Sequence, residues 1–527
     1  MLAKVSKVVE DSTRGGFYLT LGSLTSIIVS VLSVFIIARI LGSELYGLYT
    51  LSTVFPSLLL LFTNPGINQG IIKFSASLRV KEEKHRLQKL MLHSLSFSLI
   101  LGFIGFLACF IFSGQFATHI LNRSEATGFI QIAAALVIFQ ATYDTINSAF
   151  IGVDKTEYNA TLTILQAVIR AVIAPALVIL GLAITGAVIG YVFSYVLVCL
   201  LGLYLFLSKI YKPLKCLSNN SNDNSNDLRM LIRYGFPLYI SVLISGFIVQ
   251  YQNIILAFFT SNYAVGNFQA ALNFTIFLTS LSLPIANILL PAFSKLEEKK
   301  EAVKEFFKIS VKYTSLLILP IAILLMIFAE EIVPIIYGEG YELTASFFLL
   351  YGFMYFLMGL GFTVLRSFFN GLGQTKINLR ITLVNAVILL VLAPILTWSI
   401  GVNGMILSLI LGSLFSTLYG LYAAKKLFSV EIDRKMVARI YLAVVISALP
   451  LLIMKQIPLF NNLIKVIIGL LTYLAVYLLI LPMIKVVSPT EIQEIKRVVG
   501  KVKLLKYLAL PILYCEEKIL MFLSRKL

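Results

Sequence analysis

"RGGF", Arg14 to Phe17, opens a long apolar run that closes on "ARILGSELYG", Ala38 to Gly47, and the layout returns 219 residues later from "RYGF", Arg233 to Phe236. Arg14, Gly16 and Phe17 align with Arg233, Gly235 and Phe236; Gly47 aligns with Gly266, and Phe74-Ser75 with Phe293-Ser294. The register holds downstream, where Ser148, Phe150, Gly152, Thr156, Asn159 and Pro175 meet Ser367, Phe369, Gly371, Thr375, Asn378 and Pro394. It slips by one near Gly186, whose partner is Gly404, and Gly202-Leu203-Tyr204 then meets Gly420-Leu421-Tyr422. Scattered identities between apolar segments arise by chance. One offset kept through loops and helices is far harder to obtain that way, so the chain reads as a duplicated unit.

Composition names the solvent. Of 527 residues, 59% are hydrophobic and 13% charged, and the mean hydropathy is +0.93. A soluble domain carries about 25% charged residues. No water-soluble core could bury this much apolar surface, so lipid must cover it. A crossing needs about 20 apolar residues. Fourteen runs qualify, at 16–38, 46–72, 90–112, 128–151, 160–182, 186–207, 234–258, 263–292, 313–336, 345–368, 379–397, 402–423, 437–454 and 463–484. The first six and the next six are the two copies, and the last two have no counterpart. Pro56, Pro65, Pro175, Pro284, Pro320 and Pro394 fall within or beside these runs and predict bent or interrupted helices. The first run is too long for a secretory signal and lacks a small-residue cleavage site, so it is expected to insert and stay.

Lys and Arg set the orientation. With the N-terminus inside, 37 of the 43 fall in inside segments; Arg39, Arg123, Lys455 and Lys465 fall outside, and Arg170 and Arg366 lie within spans. So lopsided a split predicts both termini inside. It also accounts for most of the +18 net charge, which is a topology signal and implies no nucleic acid. The expected fold is an all-α polytopic membrane protein of the cell (plasma or inner) membrane, with 14 transmembrane helices. It comprises an N-lobe at 1–207, a cytoplasmic linker at 208–233, a C-lobe at 234–423, two extra helices at 424–484 and a cytoplasmic amphipathic tail at 485–527. The linker contains "SNNSNDNSND", Ser218 to Asp227, which has the composition of a flexible tether or a tolerated insertion. In the tail, Ile492, Ile495, Val498, Val499, Val502 and Leu505 share one helical face.

Ionisable groups inside a bilayer are costly and point to function. Arg170 is the foremost. It sits about 10 residues into the fifth run, roughly 15 Å deep at the helical rise. A guanidinium there needs water, an anionic ligand or a carboxylate such as Asp144. Asp144 can pair with an arginine, titrate as a coupling-ion site or reach the interface; pairing is the favoured expectation. Arg366 either snorkels or lines a cavity, and Arg39 ends the first run at the outer interface. Among neutral amides, Gln250, Gln252 and Asn253 crowd the seventh run, more than one packing face can satisfy, which suggests a wet surface nearby. Asn273, like Gln269 and Asn385, fits a helix–helix hydrogen bond or ligand contact. Catalytic and cofactor signatures are missing: the chain has no G-x-S-x-G, HExxH or P-loop. Its three histidines and its four cysteines (Cys109, Cys199, Cys216 and Cys515) have no metal-ligand spacing.

"FIIARILGSELYGLYTL", Phe35 to Leu51, resembles the first helix pair of the polysaccharide transporter family, whose members flip lipid-linked oligosaccharides within the multidrug/oligosaccharidyl-lipid/polysaccharide exporter superfamily. "FIGVDKTEYNA", Phe150 to Ala160, and its echo "FNGLGQTKINL", Phe369 to Leu379, carry the same likeness. The resemblance implies two six-helix lobes in a V around a central cavity, with alternating access between inward-open and outward-open states. It also implies a polyprenyl- or dolichyl-(pyro)phosphate-linked saccharide as cargo, a functional link to glycosyltransferases, and H+ or Na+ as a possible coupling ion. It carries over no substrate-binding residue. Arg170, Arg366 and Arg39, with Asp144, Gln250, Asn253 and Asn273, are the cavity candidates read from charge and depth. A cation-coupled multidrug exporter and a peptidoglycan-precursor flippase are the alternatives within the superfamily. A membrane glycosyltransferase or ligase fits poorly, because the outer loops are short and nearly free of charge.

Overall fold

Lipid offers backbone N–H and C=O groups no hydrogen-bond partner, so a chain this apolar must satisfy them inside its own helices. The structure, a computed structural model, describes residues 2–215, 227–296, 299–456, 461–487, 491–493 and 496, and all regular structure among them is helical. The first copy contains α1 (Leu2–Ser52), α2 (Val54–Phe62), α3 (Ile67–Val80), α4 (Lys84–Gln115), α5 (Thr127–Ala133), α6 (Ala135–Gly152), α7 (Thr156–Leu177), α8 (Ala183–Phe206) and α9 (Lys212–Lys215). The second contains α10 (Asp227–Phe259), α11 (Asn262–Leu296), α12 (Lys300–Ile327), α13 (Ala329–Tyr337), α14 (Glu342–Gly352), α15 (Val364–Gly371), α16 (Thr375–Ile400) and α17 (Val402–Phe428). The added pair is α18 (Arg434–Lys455) and α19 (Asn462–Met483).

Eleven helical stretches among the described residues are long and apolar enough to cross a membrane, and the chain is a multi-pass membrane protein. Two of these stretches each cover most of two expected runs. Tyr18–Phe62 turns at Gly42 (φ 73), and Thr156–Leu214 turns at Gly181 (φ 91). The expected eighth run lies in α11, a helix of 35 residues. Interruption follows backbone chemistry. The second run breaks at Thr53 and again before Gly66 (φ 88), next to Pro65, which has no N–H to give. The tenth run changes to a 3-10 turn at Phe353–Leu360 and ends on Gly361 (φ 77) before α15 resumes. Helices also outlast their apolar runs. α10 begins at Asp227 and α12 at Lys300, because charged side chains at a membrane surface need water, whereas the helical backbone does not have to stop there.

The chain divides into two compact units. One comprises Met1–Ser280 with Glu339–Thr344 and Asn385–Leu409; the other comprises Leu281–Gly338, Ala345–Val384 and Ile410–Leu527. The repeat shows in matching contacts. A Cβ on Gly152 would meet the Ile71 carbonyl at 3.1 Å and Ser75, and one on Gly371 would meet the Leu290 carbonyl at 2.7 Å and Ser294, each pair shifted by the same 219. Gly202 faces Ile146 and Leu162 as Gly420 faces Leu365 and Ile381; Gly186 abuts Leu177 as Gly404 abuts Leu396. Small residues let membrane helices approach backbone to backbone, and here the same positions do so in both copies. Large side chains repeat as well. Ile146, Phe150, Val153 and Leu162 are buried together in one core, and Leu365, Phe369, Leu372 and Ile381 in the other.

Within the first unit, Gly47 and Gly266 make a reciprocal contact. A Cβ on Gly47 would lie 2.0 Å from the Asn262 carbonyl, and one on Gly266 would lie 1.8 Å from the Ser43 carbonyl. Positions 43 and 262 are themselves repeat partners. Side chains knit the same end of the unit. Arg123 Nε donates to Asn262 Oδ1 at 2.7 Å and its Nη2 to the Thr260 carbonyl at 2.6 Å. Tyr341 donates to the Ala38 carbonyl at 2.6 Å.

In the second unit the added helices are pinned by polar contacts. Tyr477 donates to the Leu316 carbonyl at 3.0 Å, and Gly469 admits the Phe328 ring. Lys455 pairs with Glu330 at 2.7 Å, and Lys465 pairs with Glu331 at 3.7 Å, with side-chain exposures of 13% and 7% in the latter pair. Lys465→Met would leave the buried Glu331 carboxylate unpaired and is expected to cost about 3–5 kcal/mol. Lys455→Met, at a more exposed pair, should cost only about 0–1 kcal/mol. Thermal unfolding in detergent compares the two, and equal midpoints would refute the ranking. Of the tail, Glu491 is held by Lys312 Nζ at 2.6 Å and by the Tyr313 hydroxyl at 3.3 Å. Most of the expected amphipathic face lies outside the described residues, as do 216–226 of the expected linker.

Candidate functional site

Close helix spacing in the first unit creates the setting for Arg170. A Cβ on Gly22 of α1 would meet Ala160 of α7 at 2.8 Å, and one on Gly190 of α8 would meet Ala174 of α7 at 2.4 Å. With α1, α7 and α8 this close, the Arg170 side chain lies among tyrosines. Its Nη2 donates to the Tyr49 hydroxyl at 3.2 Å, and its Cζ lies 4.0 Å from the centre of the Tyr191 ring. A desolvated cation over an aromatic face gains about 2 kcal/mol or more, which helps offset taking the charge out of water. Arg170 Nε is buried with no hydrogen-bond partner among the described residues, so the guanidinium keeps unused donor capacity.

The aromatic strip extends on both sides of the guanidinium. Tyr191 meets Tyr195 edge to face at 5.6 Å, Tyr195 meets Tyr143 at 5.5 Å, and the Tyr143 hydroxyl donates to Thr163 at 3.3 Å. On the other side Tyr49 stacks on Tyr46 at 6.2 Å, and the Tyr46 hydroxyl accepts from Asn273 at 3.1 Å. Asp144 on α6 is half-buried and close enough for its charge to act on Tyr143, Tyr191 and Tyr195. The expected Arg170–Asp144 ion pair does not form: the guanidinium is committed to Tyr49 and Tyr191, and the carboxylate has no ion-pair partner among the described residues.

The other candidates separate. Asn273 joins the strip through Tyr46. Asn253 does not present a free amide oxygen; its Oδ1 accepts from Gln269 Nε2 at 2.6 Å, a helix–helix bond between α10 and α11. The three crowded amides therefore divide, with Asn253 buried in packing and Gln250 and Gln252 half-exposed. Arg39 is exposed near the Gly42 turn. Arg366 belongs to the second unit, exposed on α15. The repeat does not extend to the strip. Positions 219 after Tyr46, Tyr49, Tyr143, Asp144 and Arg170 hold Val265, Phe268, Phe362, Thr363 and Leu389. The scaffold contacts are duplicated and the polar constellation is not. The tyrosines were the signal a reading for charge passes over: Tyr46/Tyr49 and Tyr191/Tyr195 stand three and four apart, the spacing that puts pairs on one helical face.

The sequence profile described as "Polysaccharide biosynthesis protein" matches residues 12–297, more than half of the chain. The chain belongs to this polysaccharide biosynthesis protein family. Relatives and folds agree with that membership. The chain is 22% identical over 476 residues to an uncharacterized membrane protein, MJ1068, of Methanocaldococcus jannaschii, covering 86% of this chain and 91% of that one. It is 22% identical over 296 residues to the probable low-salt glycan biosynthesis flippase Agl15 of Haloferax volcanii, covering 56% of this chain and 61% of that one. Its fold resembles that of the lipid II flippase MurJ in an inward closed conformation, with TM-score 0.70 at 15% identity over 87% of this chain and 97% of that one. It also resembles an inward-facing multidrug resistance MATE transporter of the MOP superfamily, with TM-score 0.64 at 19% identity over 76% and 94%. At such identities the structural likeness establishes the fold alone. The family is shown by the sequence profile, and the fold is the one seen in those flippase and exporter structures.

Proposed function

We propose that this chain flips a polyprenyl- or dolichyl-(pyro)phosphate-linked oligosaccharide from the inner to the outer leaflet by alternating access, supplying surface polysaccharide or glycan assembly. The observation that carries the reading is Arg170, a half-buried guanidinium with spare donors, set among five tyrosines. A planar guanidinium matches phosphate oxygens in a fork that a lysine cannot reproduce. Tyrosine supplies flat apolar faces for sugar rings and a hydroxyl for their polar edges. The glycan flippase among the relatives supports this cargo class.

The proposed topology has fourteen crossings with both termini inside, in 6 + 6 + 2 order. The Lys/Arg asymmetry supports it, and so do the turns at Gly42 and Gly181 and the length of α11. On this topology the Gly47–Gly266 contact lies at the outer end, and glycosyltransferases supply the cargo from inside. The deciding experiment reconstitutes the purified chain in liposomes with a fluorescent polyprenyl-diphosphate saccharide and measures loss of inner-leaflet label to an impermeant quencher. Flipping no faster than in empty liposomes would end the proposal.

Asp144 is the proposed coupling-ion group, because its carboxylate is half-buried beside the strip and pairs with no cation among the described residues. Asp144→Asn is expected to remove any dependence of flipping on an imposed H+ or Na+ gradient and to slow gradient-driven flipping by about tenfold, the effect of one lost charge interaction near 1.4 kcal/mol. A variant that still responds fully to the gradient would exclude this carboxylate.

A further inference from the structure

The motif that opens each copy, Arg-x-Gly-Phe, has no part in the strip, and in the second copy it begins at Arg233. Gly235 explains the glycine. A Cβ there would lie 1.8 Å from the Gly66 carbonyl, so α10 is pressed against the start of α3 where neither chain has a side chain. That approach brings the residues just before Gly235 against the far end of α3. Tyr234 meets Phe74 edge to face at 5.5 Å, and Lys73 Nζ stands 3.7 Å from the centre of the Tyr234 ring. Arg229 and Arg233, one helical turn apart and both exposed, complete a cavity of about 530 Å³ with Phe74, Met230 and Tyr234. Among the described residues, no carboxylate lines it. Arg86, which touches Met230 Sδ at 3.9 Å, is paired with Glu83 at 3.4 Å.

We propose that this cavity is a docking site for the phosphate headgroup of an isoprenoid lipid, held by the Arg229 and Arg233 guanidinia over the Phe74–Tyr234 floor. It rests on the flippase reading above and gives that reading a place where cargo is first held. Depth selects a lipid over a soluble phosphate. The apolar run of α10 begins at 234, directly after Arg233. That places the guanidinia at headgroup level, on the side that carries the Lys/Arg excess. A topology signal alone asks only for charge near the surface. It does not ask for two arginines spaced i, i+4, a lysine over an aromatic ring, and a floor of Phe, Met and Tyr. Two forks can each take two phosphate oxygens, and the floor accepts the first isoprene units.

The test is equilibrium binding of geranylgeranyl diphosphate to the full chain in phosphatidylcholine nanodiscs. Saturable binding is expected, weakened at least about tenfold in the Arg229→Gln/Arg233→Gln double variant and less in Arg229→Lys/Arg233→Lys. Geranylgeraniol, which lacks the phosphates, should not compete. Binding within twofold of wild type in the glutamine variant overturns the site. Inorganic pyrophosphate binding as tightly as the lipid also overturns it, since the cavity would then serve a soluble anion. Equal competition by phosphatidylglycerol overturns isoprenoid selectivity. Both arginines are exposed, so the variants should fold, and the lysine pair controls for loss of charge. Because the readout is binding, it separates from transport. Wild-type binding without flipping sinks the proposed function and leaves the site; intact flipping with no binding here does the reverse.

Discussion

Arg170→Ala is expected to reduce flipping of a lipid-linked saccharide by at least about 100-fold while the protein inserts and purifies at wild-type yield. A hydrogen bond to a charged group contributes about 1.5–3 kcal/mol, and a factor of ten corresponds to about 1.4 kcal/mol. Losing two phosphate contacts from one guanidinium therefore reaches the stated size. Folding should survive, because the partners released are a tyrosine hydroxyl and a tyrosine face, neither of which is left charged. Arg170→Lys keeps the charge and loses the fork, so an intermediate rate is expected. Tyr49→Phe removes one hydrogen bond and should cost less than either. Wild-type kinetics in the alanine variant would rule out an anion site on α7.

Gly266→Val should push apart the ends that Gly47 and Gly266 hold together. The added Cβ would fall 1.8 Å from the Ser43 carbonyl, which belongs to backbone and cannot rotate away. Overpacking of this kind costs about 1–3 kcal/mol, enough to shift a two-state balance by about 5- to 150-fold. Spin labels on the exposed Glu44 and Ser261 would report it. The wild type should show a dominant short distance and the variant a longer one, with flipping reduced because one of the alternating states is depleted. Gly47→Val, its repeat partner, should act in the same direction. Unchanged distances together with unchanged flipping would remove this contact from the transport cycle.

Much of the architecture was legible because its causes are local or periodic. Apolar runs of crossing length require helices in lipid, and the offset of 219 residues required the two copies to fold alike. The matching contacts of Gly152 with Gly371, and of Gly202 with Gly420, repay that reading at particular atoms. Helix ends were less legible, since hydropathy marks where lipid stops and the hydrogen-bond ladder continues past it, as α10 does to Asp227. The site was half legible. Depth singled out Arg170 and left its partner open among water, an anionic ligand and a carboxylate; its side chain meets two tyrosines. Asn253 looked like a cavity group and is bonded to Gln269.

From the order of its residues alone, this protein had to be a doubled, helical, membrane-embedded chain, because hydrophobic length and a long repeat depend on nothing beyond the chain and its solvent. Which side chains would stand around Arg170 was decided only by tertiary structure. Tyr49, Arg170 and Tyr191 lie on three helices, and their meeting depends on how closely Gly22 and Gly190 let those helices approach. That approach is a property of packed surfaces, which no single stretch of sequence contains.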